Sequence, residues 1–239
     1  MLTNHRRALL YAAALLSVTV LVFVLVALDA TRPAVQAVDD VVYRGAEDIR
    51  NAPLTVVARV LNVLGGGWVV IPLRIVVAAF LAVRQRWRAL TTWLLIWLAA
   101  EVALVVFKAW YARPRPLDGL VATRGFSFPS GHAVATAATA IALVLVLLPA
   151  GRQRRRWEVY AALFSFAMAL SRVYLNAHWF SDVVAGTLLG AGIALTVAGV
   201  VTEVRDVAIR RRERLAVPAE TGRLDSVGMT GSRREPRHP

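Results

Sequence analysis

The stretch that decides the fold is residues 8–28, ALLYAAALLSVTVLVFVLVAL, which contains no charged residue. An apolar run of about 18 residues or more is long enough to cross a bilayer as a helix. Two arginines precede the run, as in a signal peptide, but the run exceeds the roughly 7–15 apolar residues of such peptides, and no clear small-residue cleavage site follows it. We therefore interpret residues 8–28 as a retained membrane helix.

Five further apolar segments follow along the chain. They cover residues 61–83, 89–110, 131–148, 157–175 and 182–201. Together with the first segment, they predict an all-α fold, an integral-membrane bundle of six helices. The composition agrees, because 58% of the 239 residues are hydrophobic and 18% are charged, whereas soluble domains have about 45–50% and about 25%. An ordinary soluble domain and a disordered chain are both excluded.

The basic residues of the short loops predict how the bundle is oriented. Arginines cluster before the first segment, between the second and third, between the fourth and fifth, and after the sixth. Since cytoplasmic loops carry such an excess, we predict that both termini are cytoplasmic and that the protein lies in the cell membrane. We also predict a membrane domain over residues 1–203 and a basic, largely disordered cytoplasmic tail over residues 204–239, whose first part binds anionic lipid.

The net charge of the chain is +13, from 28 lysines and arginines against 15 acidic residues, and only Lys108 among the 28 is a lysine. Such a charge is also found in nucleic-acid-binding proteins, but the apolar segments favour a membrane protein, so we predict no nucleic-acid partner. The chain contains no cysteine, which excludes disulfides, thiolate metal sites and cysteine nucleophiles.

Several basic residues fall on the predicted outer side, where the loop rule does not favour them. They are Lys108, Arg113, Arg115, Arg124 and Arg172. Positive charge in that position indicates an anionic ligand at the outer face. Within residues 108–116, lysine supplies a mobile charge and arginine a planar fork that matches phosphate oxygens, while two prolines stiffen the loop. The alternative, which needs no bound ligand, is that these side chains extend to the lipid headgroups.

Two further blocks frame the predicted ligand. Residues 128–132, Phe-Pro-Ser-Gly-His, directly precede the fourth segment, where a helix N-terminus and its free N–H groups favour an anion. Residues 171–182 hold His178 and Asp182 four positions apart, which makes them neighbours on a helix. A carboxylate beside an imidazole fixes its tautomer and suits a histidine nucleophile. An ordinary helix cap and a local His–Asp pair are the alternatives.

Taken together, the three blocks resemble the signature of the type 2 phosphatidic acid phosphatase (PAP2) superfamily, the membrane lipid phosphate phosphatases. That signature is Lys-x6-Arg-Pro, then Pro-Ser-Gly-His, then Ser-Arg-x5-His-x3-Asp. All eleven specified positions are present here in the same order and spacing. The resemblance includes the layout of six helices, so it covers residues 8–201 and not the tail.

The resemblance implies a role for each signature residue. His178 would attack phosphorus and form a phosphohistidine, Asp182 would orient His178, and His132 would protonate the leaving oxygen and later activate water. The phosphoryl oxygens would be held by Lys108, Arg115, Ser130, Gly131 and Arg172. Arg113 and Ser171 would have supporting roles.

The resemblance implies no cofactor and no metal ion. Two histidines and one aspartate could form a zinc set, but the lysine and arginines around them would repel a dication. The activity implied is hydrolysis of a lipid phosphate or diphosphate at the outer face of the membrane. We place an isoprenoid diphosphate such as the undecaprenyl carrier first, and phosphatidic acid or phosphatidylglycerol phosphate next.

Other functions stay open at this point. A phosphotransferase would use the same phosphohistidine with a lipid or sugar hydroxyl as acceptor. A phospholipid-binding scaffold or a transporter would need no histidine chemistry, and the chain shows no inverted repeat of the kind common in transporters. The sequence leaves the oligomeric state open. Arg74 and Glu101 fall within predicted spans, where we expect an ion pair between helices or a bridged link from Glu101 to Lys108.

Overall fold

The computed structural model describes residues 2–216, and within that range the chain forms eight α-helices and no strand. In chain order the helices are α1 (Leu2–Ala27), α2 (Arg32–Asp48), α3 (Ala52–Leu64), α4 (Gly67–Val83), α5 (Trp87–Trp110), α6 (Gly131–Leu147), α7 (Arg152–Tyr174) and α8 (Phe180–Ala216). The all-α prediction is confirmed for the described residues.

Three helices are long and apolar enough to cross a membrane: α1 over Arg7–Ala27, α5, and α8 over Phe180–Arg212. The pair α3 and α4 reaches the same criterion together, with a bend of 45° between them, which makes up to four spans. Helix α6 is apolar but has 17 residues, about 25 Å at 1.5 Å per residue. Helix α7 begins with four arginines in its first five residues, which lowers its hydropathy. The count of six spans stays a prediction.

The second predicted segment, residues 61–83, is wrong as a single helix. The chain breaks at Gly65 and Gly66, and residues 61–64 belong to α3 instead of α4. Gly66 is extended at the start of α4, with φ −76° and ψ 158°. A Cβ on Gly65 would lie 2.6 Å from Cε of Met168 on α7, so only glycine allows this close approach without a shift of Met168. The glycines therefore end α3 where it packs against α7.

Small residues let α6 and α8 approach closely at the centre of the bundle. The buried face of α6 carries Ala133, Ala137 and Ala138. A Cβ on Gly186 of α8 would lie 2.8 Å from the Ser130 carbonyl oxygen. At this crossing the Ser130 N–H donates to the Asp182 carbonyl oxygen at 3.1 Å. The starts of α6 and α8, which carry two of the three blocks, are thereby joined.

Arg74 of α4 pairs with Glu101 of α5, and the Arg74 Nη1 to Glu101 Oε1 distance is 2.6 Å. The buried guanidinium also donates to Thr139 Oγ1 at 2.9 Å. The Trp93 indole N–H donates to the Arg74 carbonyl oxygen at 3.0 Å. Of the two expected links for Glu101, the interhelical ion pair is the one present, and Lys108 donates elsewhere, to the Phe126 carbonyl oxygen.

The chain divides into two compact units, Met1–Thr202 and Glu203–Pro239. Residues 203–216 are helical, and within them Arg210 Nη2 lies 3.4 Å from Glu203 Oε1. Most of the predicted disordered tail, residues 217–239, lies outside the described residues. The cytoplasmic tail over residues 204–239 stays a prediction.

Candidate active site

The three blocks meet at one end of the bundle. Helices α5 and α7 end there, and α6 and α8 begin there. The connection between α5 and α6 crosses the short connection between α7 and α8, and the Leu120 N–H donates to the Leu175 carbonyl oxygen at 2.9 Å. Residues separated by 60 or more positions along the chain therefore contact one another, as Arg115 and His178 do.

His178 lies between α7 and α8 and is only 4% exposed. Its Nδ1 is 3.4 Å from Asp182 Oδ2 and 3.4 Å from Ser127 Oγ. Its Nε2 is 3.0 Å from Arg115 Nη1. His178 lies two residues before α8, which begins at Phe180, so only Asp182 of the pair is helical. The predicted contact between His178 and Asp182 is nevertheless present.

The neighbours of His178 determine its tautomer. A guanidinium nitrogen can only donate, so Nε2 accepts from Arg115, and in the neutral ring the proton is on Nδ1, which faces Asp182. Burial lowers the pKa of His178 from its usual 6.5 to about 4, against the opposing effect of the Asp182 carboxylate, and the charges of Arg115 and Arg172 lower the pKa further. At neutral pH the ring is therefore uncharged, with its lone pair on Nε2, as a nucleophile requires.

The Asp182 carboxylate is fully buried and accepts from three donors besides the His178 ring. Its Oδ1 accepts from Arg113 Nη1 at 2.8 Å. Its Oδ2 accepts from the Trp179 N–H at 3.0 Å and from the Ser127 hydroxyl. The Ser130 N–H binds the main-chain oxygen of the same residue. Asp182 thus contacts both the start of α8 and the His178 ring, so a helix cap and a His–Asp pair are both present.

Arg113 lies between two carboxylates. Its side chain is 4% exposed, and it donates to Asp182 at 2.8 Å and to Asp39 of α2 at 2.7 Å. It also donates to Ser181 Oγ and to Gln36 Oε1, each at 2.7 Å. These bonds occupy the two terminal nitrogens of the guanidinium. Arg113 therefore lies on the carboxylate side of His178, and its supporting role stays a prediction.

Arg115 and Lys108 bind main-chain carbonyls at the other side of His178. Arg115 donates to the carbonyl oxygens of Gly125 at 2.9 Å and of Ala177 at 2.6 Å, and Lys108 donates to that of Phe126 at 2.6 Å. Burial lowers the pKa of Arg115, and the Asp182 carboxylate acts in the opposite direction. Arg115 thus lies at the bare Nε2 of His178, and neither cation has a carboxylate bond among the described contacts.

Ser130 and Gly131 form the start of α6. Ser130 occupies the N-cap position, but its side chain makes no capping bond, contrary to the expectation for a serine there. Its hydroxyl is buried and has no hydrogen-bond partner among residues 2–216. Buried hydroxyls are normally satisfied, so this hydroxyl and the first N–H groups of α6 are suited to anionic oxygens.

Asn62 of α3 joins His132 to Arg172. The His132 Nε2 is 3.2 Å from the Asn62 carbonyl oxygen, and Arg172 Nη1 donates to the Asn62 side-chain oxygen. A carbonyl oxygen only accepts, so the His132 proton is on Nε2 and its Nδ1 is the nitrogen free to exchange a proton. Arg172 is 1% exposed, and its Nε has no partner within the described part of the chain.

Four residues of this site make contacts that the sequence pattern does not predict. Asn62 and Ser127 contact signature residues, whereas Asp39 contacts Arg113 and Ser181, which lie in the blocks but outside the signature. Ser171, although a signature residue, donates its hydroxyl to the Met168 carbonyl oxygen of its own helix at 2.7 Å. The sequence signals were weak: Asn62 is a single amide in an apolar helix, and Asp39 is one of two adjacent acids.

Comparison with known proteins gives consistent results. The PAP2 superfamily matches residues 89–206. The chain is 32% identical over 172 residues to phosphatidylglycerophosphatase B of Bacillus subtilis (strain 168), which covers 70% of this chain and 84% of that protein. It is 33% identical over 81 residues to undecaprenyl-diphosphatase of Sulfolobus acidocaldarius, covering 34% of this chain and 33% of that protein.

A solved structure also matches. It is the crystal structure of the first transmembrane PAP2 type phosphatidylglycerolphosphate phosphatase from Bacillus subtilis, with a TM-score of 0.71 and 27% identity. The match covers 81% of this chain and 96% of that chain. The motifs, the long sequence match and the fold agree, and the chain belongs to the PAP2 superfamily of membrane phosphatases.

Proposed function

We propose that this chain hydrolyses a lipid phosphate at the outer face of the cell membrane through a phosphohistidine on His178, without a metal ion. The observation that carries the proposal is the tautomer of His178. Its ring is buried and neutral, with Nδ1 toward Asp182 and a bare Nε2 beside Arg115. This is the arrangement that a histidine nucleophile needs in order to attack phosphorus and then bear positive charge.

The reaction would proceed in two steps. In the first, Nε2 of His178 bonds to phosphorus while the bond from phosphorus to the lipid oxygen breaks, and His132, protonated on both ring nitrogens, gives its Nδ1 proton to that oxygen. In the second, water attacks the phosphohistidine, His132 takes a proton from the water, and the nitrogen–phosphorus bond breaks to release phosphate. Asp182 stabilises the imidazolium between the steps.

The charge on the phosphoryl group would be stabilised by the signature cations. Lys108, Arg115 and Arg172 supply positive charge, and the Ser130 hydroxyl and the N–H of Gly131 supply donors at the start of α6. Phosphoryl transfer depends mainly on positioning and on such electrostatic stabilisation. Five donors directed at one tetrahedral group would account for Lys108, Arg115 and Arg172, three of the five basic residues that lie against the loop rule.

The proposal also includes the identity of the substrate lipid. The relative matched over 172 residues is a phosphatidylglycerophosphatase, whereas the undecaprenyl-diphosphatase is matched over 81. We therefore place phosphatidylglycerol phosphate before an isoprenoid diphosphate, which reverses the order favoured by the sequence alone, and phosphatidic acid third. The signature residues contact only a phosphoryl group, so both leading substrates fit the same chemistry.

The test is phosphate release by the detergent-purified protein in EDTA, from these three lipids, for the wild type and for His178→Ala. We expect metal-independent release that is abolished in the variant, and the ranking of kcat/KM identifies the preferred lipid. Radiolabelled substrate should also leave an acid-labile, alkali-stable label on the wild type, as phosphohistidine does, and none on the variant.

Two results would contradict the proposal. One is release that persists in folded His178→Ala protein, as judged by an unchanged thermal unfolding temperature. The other is release that EDTA abolishes. If phosphate release rises with added lipid or sugar alcohol and a phosphorylated alcohol appears, the enzyme is a phosphotransferase that uses the same intermediate.

A further inference from the structure

Helix α2 places a carboxylate behind the catalytic pair. Asp39 is 1% exposed, although it lies on a helix outside the three blocks. Its Oδ1 accepts the Ser181 N–H at 2.8 Å, and its Oδ2 accepts the Ser181 hydroxyl at 2.7 Å. Oδ2 also pairs with Arg113 Nη2 at 2.7 Å. The three donors, two from Ser181 and one from Arg113, hold this carboxylate in one position.

Arg113 connects this carboxylate to Asp182. One terminal nitrogen faces Asp39 and the other faces Asp182 at 2.8 Å, while the guanidinium carbon lies 5.5 Å from the centroid of the Trp179 ring. The planar fork of arginine holds two such partners in a fixed geometry, which a lysine ammonium does not reproduce. We call Asp39, Arg113 and Asp182 the buried ion network.

The charge of the network matters as much as its geometry. Asp182 and Arg113 alone would be neutral, so Arg113 would cancel much of the field that Asp182 exerts on His178. Asp39 adds a second negative charge and offsets Arg113. The network as a whole is then negative by one charge, which favours the positive charge that His178 acquires when its Nε2 bonds to phosphorus.

We infer that Asp39 and Arg113 are positioning residues for the reaction: Arg113 fixes the Asp182 carboxylate against Nδ1 of His178, and Asp39 fixes Arg113 and offsets its charge. This inference rests on the proposed function, because it assigns the network to the phosphohistidine step. Neither residue touches the phosphoryl group, so their effect is exerted through Asp182.

The experiment is a double-mutant cycle on phosphate release by the full chain, with Asp39→Asn, Asp182→Asn and the double variant. Asparagine keeps the shape of the side chain and removes its charge. Misplacement of a catalytic group by about 1 Å costs roughly 100-fold, so we expect Asp39→Asn to lower kcat by about 10–100-fold. KM should change by less than about threefold, since the cations that hold the phosphate are untouched.

In the Asp182→Asn background, we expect Asp39→Asn to lower kcat by less than about threefold further, because two residues that act through one contact are not additive.

The matched control is Asp48→Asn, the same change at an exposed position at the end of α2, which should leave kcat unchanged. Arg113→Lys, which keeps the charge and loses the fork, should lower kcat in the same way, and it tests the network if Asp39→Asn fails to fold.

Two outcomes overturn the inference while leaving the proposed function intact. They are a kcat for folded Asp39→Asn within threefold of the wild type, and an equal fall in kcat in both backgrounds, which would show that Asp39 does not act through Asp182. If the wild type releases no phosphate, or if His178→Ala is fully active, the proposed function fails and the inference fails with it.

Discussion

His178 is held in one tautomer by neighbours whose hydrogen-bonding character is fixed. Arg115 can only donate and Asp182 can only accept, so the ring has its proton on the carboxylate side and its lone pair on the other. Both contacts lie within 3.4 Å. The reactivity of this residue is therefore determined by two flanking side chains, one from each of two different blocks.

The low pKa of His178 predicts a specific effect of pH on stability. Its folded pKa is about 4 and its ordinary value is 6.5. Between these values the unfolded chain binds a proton that the folded chain does not, so the free energy of unfolding falls as the pH drops from 6.5 to 4, by at most about 1.4 kcal/mol per pH unit for this residue. The contribution is intact above pH 6.5.

The measurement is the thermal unfolding temperature in detergent at pH 7 and at pH 4.5, for the wild type and for His178→Gln. The wild type should lose more unfolding temperature on acidification than the variant, in which the residue does not titrate. Equal losses in the two proteins would show that burial of His178 does not control this pH dependence.

At the level of helices, the site depends on close crossings made by glycines. Gly186 brings α8 against the main chain of α6 at Ser130, and Gly65 allows α3 to reach Met168 of α7. The first crossing joins the Asp182 and Ser130 main chains, and the second places Asn62 near Arg172. The positions of functional side chains thus follow from contacts that involve no functional group.

Gly186→Ala is expected to reduce both stability and activity. Its Cβ would lie 2.8 Å from the Ser130 carbonyl oxygen, which is main chain and moves only with the start of α6. Overpacking of this kind costs about 1–3 kcal/mol, and a displaced Ser130 should lower kcat/KM for phosphate release.

Gly45→Ala on α2 is the control, since a Cβ there would meet nothing within 4 Å. Alanine favours a helix interior over glycine, so this variant should be at least as stable as the wild type and fully active. The measurements are the thermal unfolding temperature and kcat/KM. If Gly186→Ala has the unfolding temperature and the kcat/KM of the wild type, the α6–α8 crossing relaxes without moving Ser130.

Some features of these helices can be predicted from the sequence pattern, and others cannot. The blocks could be assigned in advance because phosphate chemistry requires particular residue types at fixed local spacing. Asp39 could not, because its partner Arg113 is 74 positions away, and neither local periodicity nor spacing encodes that pairing. The glycines 65–67 indicate close packing or a bend where the second segment begins, but α3 as a separate helix could not be predicted, since hydropathy averages over a turn and does not register where two short helices meet.

At the scale of the whole molecule, the predicted orientation follows from the arginine distribution. The blocks meet at the end where α5 and α7 finish, opposite the arginine-rich start of α7. The positive-inside rule then predicts a site on the outer side. An outer site requires the lipid headgroup to be present in the outer leaflet when it is hydrolysed.

Single cysteines test this orientation, because the chain has none of its own. Thr123→Cys lies in the connection between α5 and α6, and Arg84→Cys lies just after α4, and both positions are exposed. In intact cells a membrane-impermeant maleimide should label the first variant and not the second. Both should be labelled after detergent is added, and the reverse pattern in intact cells would place the site on the cytoplasmic side.

Lys108 gives the molecule a further property. It carries the one ε-amino group in the whole sequence, since the other 27 basic side chains are arginines, and it is half-buried beside the site, with Nζ bonded to the Phe126 carbonyl oxygen. Acylating reagents that modify amines do not react with guanidinium groups. Apart from the α-amino terminus, Lys108 is therefore the single amine that such a reagent can modify in this chain. A fluorophore attached to Lys108 would lie beside the candidate active site.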